Sequence, residues 1–181
     1  MGDMLTLALA ADRERQDLID LLRQHRWFLT YTMQGLTDEQ AATRTTASAL
    51  TLSGILHHVA ETEAQWTDFV VNGPAGMAAE IDGWMDPAAA NDPATRFRLA
   101  DGETLVDALA AYAEIAARTD ALVAALPDLD TDQELPSAPW FQPGARWSHR
   151  TALLHVLAEI AQHAGHADIV RESLDGQRTM G

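Results

Sequence analysis

The chain contains no cysteine, which excludes disulfides, thiolate metal ligands and a cysteine nucleophile together. Any sulfur chemistry here needs a thiol supplied by a second molecule. Lysine is absent as well: the 12 basic residues are all arginine, set against 27 acidic residues for a net charge of −15. A field of that sign repels phosphate backbones and anionic headgroups, so neither nucleic acid nor a membrane surface is expected as a partner. No apolar run approaches the roughly 18 residues that mark a membrane-spanning helix. Met1 to Ala11 is short for a secretory leader and lacks the basic residues that precede a leader's apolar stretch, which makes the cytoplasm the expected location.

A hydrophobic fraction of 47% over 181 residues suits one globular domain, 1–181, long enough to bury roughly 70% of its unfolded surface. Four segments carry helical periodicity. The first runs from about Met4 to Met33, with Leu18, Leu21, Leu22, Phe28 and Leu29 on one side and Gly35 as a stop; Leu36-Thr37-Asp38-Glu39-Gln40 is a connector with a short helical turn. The second starts at Thr51 or Ser53, either of which caps it, and ends at Asn72-Gly73-Pro74. The third spans about Thr104 to Leu126, and the fourth about His149 to Leu174, capped by Ser148 and stopped by Asp175-Gly176. Residues 73–101, punctuated by Gly73, Pro74, Gly76, Gly83, Pro87 and Pro93, form a long connection between helices two and three. The stretch from Asp128 to Trp147 is a second loop, and no segment reads as a strand. Four long helices around one core make an all-α four-helix bundle the economical expectation.

The histidines carry the chemical information. His155, Glu159, His163 and His166 follow one another at spacings of four, four and three on the last helix, so they share one stripe. Leu153, Val156, Ala167 and Val170 flank that stripe and turn part of it inward, where ionisable groups must be paired or bound. Glu159 and His163, one turn apart, can chelate a single ion, as the two histidines of H-E-x-x-H do. A third ligand must then come from another helix, where His57 and His58 are candidates. Adjacent helical positions diverge by about 100°, so only one of them faces the same ion. His58 shares a side with Ile55 and Thr62, next to Val59 and Glu63; His57 lies on the wetter side. Spacing alone leaves a metal site and a set of satisfied core histidines both open.

Leu56-His57-His58-Val59-Ala60-Glu61-Thr62-Glu63 with Trp66 resembles the second-helix signature of the DinB-like superfamily. Glu159-Ile160-Ala161-Gln162-His163-Ala164-Gly165-His166-Ala167-Asp168, continuing to Arg171-Glu172 and Asp175-Gly176, is similar to the last-helix signature of its actinobacterial branch. The resemblance implies a DinB-like four-helix bundle, usually a homodimer, holding one divalent metal through His58, Glu159 and His163. Zinc comes first on that ligand set, with nickel, iron or manganese as alternatives. Glu at position 159 looks like the mycothiol-dependent maleylpyruvate isomerases, although those resemble a bundle followed by a second domain. The implied activity is therefore a metal-dependent S-transferase that uses a low-molecular-weight thiol, mycothiol, against a small electrophile seated under the two loops. Alternatives are a hydrolase using metal-bound water with His166 or Glu63 as base, and a non-catalytic, stress-associated metal-binding bundle. His155 and His166 are expected either to support the ligands or to be plain core residues. His25 and His149 are expected at the surface, Trp27 and Trp66 in the core, and Trp140, Phe141 and Trp147 at a pocket mouth or pinning their loop. Asp168, Arg171 and Glu172 are expected to make a charge pair or brace the last turn.

Overall fold

A computed structural model of the chain describes residues 2–78, 81 and 97–179. Its helices are α1 (Gly2–Tyr31), α2 (Asp38–Ala41), α3 (Leu52–Asn72), α4 (Leu105–Ala125) and α5 (His149–Asp175), with a 3₁₀ turn over Gly73–Met77. The expected boundaries hold to within two residues, because the capping chemistry is local. Thr51 accepts a hydrogen bond from the Gly54 amide, Thr104 and Asp107 form a reciprocal box, and Ser148 accepts from Thr151. Each such cap contributes about 1 kcal/mol. Gly176, at φ 83°, closes α5 in the left-handed conformation that a side chain resists. The predicted turn after Leu36 is α2, capped by Thr37 and Gln40. Of the connection 73–101, residues 79–80 and 82–96 lie outside the described residues.

The long helices pack as a helical bundle: α5 lies against α1 and α3, and α4 closes on the same two helices. One apolar core runs through it, with Leu22, Leu29, Leu56, Phe69, Val156 and Ile160 fully or almost fully buried. A smaller cluster of Leu18, Ile19, Val123, Leu129 and Leu153 seals one end. The buried side of α3 also carries two polar exceptions, Ser53 and Glu63. No described helix is long and apolar enough to cross a membrane.

Four expectations require correction. The loop 128–147 contains a two-stranded antiparallel ribbon, β1 (Asp132–Glu134) and β2 (Arg146–Ser148), with Gln133 opposite Trp147. Three-residue strands are too short for a period-2 pattern to register. His149 is buried, because the ribbon folds back over the start of α5: its Nδ1 lies 3.1 Å from the Asp128 carbonyl oxygen and its Nε2 3.3 Å from the Gln133 amide nitrogen. Gln133 in turn donates to the carbonyls of Phe69 and Val70, so one side chain satisfies the C-terminal end of α3 and anchors the ribbon. Trp27, expected in the core, is 50% exposed and packs along the α1 surface, edge-on to Phe28 and tilted against Tyr31. His25 is half-buried rather than freely exposed.

Arg171 braces the last turn, in part through carbonyls that spacing did not indicate. It pairs with Asp175 one turn on, at 2.9 Å, and reaches across to the Thr32 and Gln34 carbonyls that follow α1. Glu172 instead pairs with Arg178, and Asp168 accepts from the Thr179 amide.

Candidate metal centre

His58 lies in the second turn of α3, and Glu159 and His163 lie one turn apart in the middle of α5. Because α3 packs along α5, the three side chains converge. One donor atom from each lies within 4.8 Å of the other two. The Glu159 Oε2 is 3.5 Å from Nε2 of His163 and 3.8 Å from Nε2 of His58. Hydrogen bonds are shorter than this. The spacing matches instead the edge of a tetrahedron with bonds of about 2.1 Å, an edge of about 3.4 Å. The donor set, two imidazoles and one carboxylate, is also that of catalytic zinc and non-haem iron sites. On geometry and on chemistry the residues fit a divalent cation.

The surroundings hold the three side chains in place. His163 is buried, while His58 and Glu159 are partly open, with 20% and 25% of their side chains exposed. The His58 ring packs on Phe97 at 4.7 Å, and Phe97 is fixed by its backbone lying against Gly54. The Nδ1 atoms of His163 and His166 are 3.4 Å apart, which leaves Nε2 of His163 facing Glu159. The Glu159 carboxyl is held well below the usual carboxylate range by the facing imidazole of His163, then by that of His58, against the opposing effect of burial. A carboxyl kept ionised is ready to ligate.

His155 stands on the other oxygen, with Nε2 3.7 Å from Glu159 Oε1. Burial pushes its imidazole below the ordinary histidine range, partly offset by the charge of Glu159. Trp66 and Trp147 enclose it edge-on, at 4.8 and 5.3 Å. His57 points away from the triad and pairs with Glu61 at 3.3 Å, which raises its pKa.

Glu63 is not brought to this site. It is completely buried, with a two-pronged bond from Arg26, at 2.6 Å to Oε1 and 3.2 Å to Oε2. Arg26 also donates to Asp120 on α4, and the Tyr112 hydroxyl is buried beside the pair with no hydrogen bond among the described residues. The network ties α1, α3 and α4 together. Sequence periodicity places Glu63 on an inward face but gives no sign of a partner 37 positions away.

A cavity of about 320 Å³ opens directly beside His58 and Glu159. Met77 and Ile81 reach it from the 73–101 connection, and Trp140, Phe141 and Trp147 from the second loop. The aromatic residues of that loop thus line a pocket, one of the two placements the sequence left open for them. His166 is not among the lining residues.

No curated protein and no solved structure matches the chain. A family model described as mycothiol-S-transferase matches residues 17–176, from the second third of α1 to the glycine that closes α5. That span takes in His58, Glu159, His163 and every residue lining the cavity. The chain belongs to the mycothiol S-transferase family.

Proposed function

We propose that this protein is a metal-dependent thiol S-transferase that joins mycothiol to a small electrophile at the cavity beside His58, Glu159 and His163. The observation that carries the proposal is the coincidence, in a chain of this family, of a three-donor cluster with an adjoining pocket. A divalent ion in this cradle, zinc first, would supply the positive charge that lets a thiol lose its proton at neutral pH. That contribution matters because the chain has no cysteine of its own.

The protein's side chains account for the rest. Two imidazoles and one carboxylate use three positions and leave others open to the thiol. A divalent ion with Glu159 carries formal charge +1, which one thiolate neutralises. His166 acts on His163 as a positioning residue: the contact between their Nδ1 atoms fixes which ring nitrogen faces the ion, the usual task of a histidine ligand's outer partner. His155 lines the pocket beside Glu159 and orients the carboxylate that it faces. The Trp66 and Trp147 rings exclude water from that side, which strengthens every charge interaction within. The proposal includes a DinB-like four-helix bundle, supported by the pairwise packing of the four long helices. A homodimer is carried over from the same resemblance.

The test is to incubate the purified protein with mycothiol and a set of electrophiles, with and without added zinc, and to follow loss of free thiol and formation of the conjugate. Conjugation that requires the metal and is lost in His58→Ala supports the proposal. A metal-loaded protein that conjugates nothing would sink it.

A further inference from the structure

The cavity beside the triad differs from it in chemistry, and that difference bears on the acceptor. Trp66 and Trp147 are stacked nearly parallel, with centroids 4.7 Å apart and planes 20° from each other, and Phe141 stands edge-on to both. The wall is flat and aromatic. Among the described residues no arginine lines it, and the chain has no lysine, so the described lining offers no permanent cation to an anionic acceptor. Glu159, at the triad end, is the one carboxylate among the described lining residues.

On α3, His58, Thr62 and Gln65 follow at helical spacing and all line the cavity, so two neutral hydrogen-bond donors continue the face that presents the ligand. Neither Thr62 nor Gln65 makes a side-chain hydrogen bond within α3 or to another described residue. Polar groups on a largely apolar wall, with no partner among the described residues, are the usual means by which a small-molecule pocket fixes orientation. A volume of about 320 Å³ suits one small ring system and its substituents.

We propose that the acceptor is a neutral, planar, conjugated carbonyl compound, stacked on the Trp66–Trp147 wall with its carbonyl oxygen toward Gln65 and Thr62. This inference rests on the transferase function proposed above and names the substrate class of that same site. The reaction is a conjugate addition. A bond forms between the thiol sulfur and the β-carbon, and the C=C electron pair shifts through the conjugated system onto the carbonyl oxygen. A proton, replacing the one the thiol gave up, is then added at the α-carbon. Nothing leaves and no oxidant is consumed. Charge builds up on the carbonyl oxygen, which is where the Gln65 amide and the Thr62 hydroxyl are useful as donors.

The test separates acceptor binding from catalysis by using metal-free, chelator-treated protein. Isothermal titration calorimetry is run with tetramethyl-1,4-benzoquinone, whose ring carbons are all blocked, and with tetramethylbenzoate as an anion of similar size. The quinone is expected to bind at least about tenfold more tightly, because a carboxylate loses its hydration against the aromatic wall. The double variant Thr62→Val/Gln65→Leu is expected to weaken quinone binding about tenfold, and Trp147→Ala to abolish it, with helicity checked by circular dichroism in each. Benzoate binding as tightly as the quinone, no saturable quinone binding, or a double variant identical to the parent overturns the inference. Quinone binding as expected in a protein that conjugates no thiol overturns the transferase function instead, so the two failures are distinguishable.

Discussion

The imidazoles of His58 and His163, held by different helices, stand edge to face with their centroids 4.7 Å apart. Two rings and a carboxylate from two helices, at spacings too long for hydrogen bonds, form a group that could hold one shared ion. An ion held there would be linked to folding, since the unfolded chain cannot assemble donors from two helices. At a hundredfold excess over Kd, zinc stabilises the native state by about 2.7 kcal/mol. For a chain of this size that raises Tm by about 5–10 °C. Differential scanning fluorimetry with zinc checks this, and neither His58→Ala nor His163→Ala should respond. An equal shift in parent and variants would place the ion elsewhere.

Much of this arrangement is legible in the sequence because it is local. Caps at Thr51, Thr104 and Ser148 fix where helices start, and the four-residue step from Glu159 to His163 fixes a chelating pair. That only one of His57 and His58 can face the ion follows from the roughly 100° between neighbours on a helix, and the resemblance to the DinB-like signature names His58. What is not legible depends on which helix lies next to which. Arg26 occupies an inward position and Trp27 the next one, so the larger and more apolar of the two is the exposed one. His149 is buried by a ribbon whose strands are too short to leave a pattern. Phe97 reaches the triad from a connection without periodicity, and only the missing side chain of Gly54 gives its backbone room.

Arg26 and Glu63 form a buried ion pair, and losing one half costs more than losing both. Removing either partner alone strands a charge without water. Arg26→Met is expected to cost about 3–5 kcal/mol, whereas the double replacement Arg26→Met/Glu63→Leu costs much less. Urea unfolding of the two single variants and the double variant measures this as a coupling energy. Zinc content should stay at parental levels in the double variant, because Glu63 serves the core and not the ion. Loss of zinc there would return Glu63 to the site.

Tyr112 gives a dependence on alkaline pH. Burial pushes its phenol well above the usual range, and the charge of Glu63 adds to the effect. The folded state therefore keeps the proton that the unfolded state releases at about pH 10. A group raised in this way contributes its full stability below the unfolded pKa and loses it as pH climbs, so ΔG of unfolding should fall above about pH 10 at up to 1.4 kcal/mol per pH unit. Tyr112→Phe should remove that component. Because the hydroxyl has no hydrogen bond among the described residues, the variant should be as stable as the parent or more so at pH 7. Titration at 295 nm of the parent against Tyr112→Phe reads the same proton directly. A Tyr112 that ionises at about pH 10 in the folded protein refutes the prediction.

Gly54 tests whether the site depends on packing behind it. A Cβ added there would come within 1.9 Å of the Phe97 carbonyl oxygen, so Gly54→Ala must push that backbone away from α3. The ring of Phe97 covers His58, and displacing it leaves the imidazole free to leave the geometry that Glu159 and His163 require. Overpacking of this kind costs about 1–3 kcal/mol of stability. A loosened ligand should also weaken zinc by about 10- to 100-fold, the range seen when a ligand's supporting contacts are removed. Competition with a chelator of known affinity measures the second effect and chemical unfolding the first. Phe97→Leu is the companion variant, since it thins the cover over His58 without forcing the backbone. It should weaken zinc less than Gly54→Ala while unfolding nearly as the parent does. If both variants hold zinc as tightly as the parent, Phe97 is only a lid over His58 and the ligand geometry is set within α3 and α5 alone.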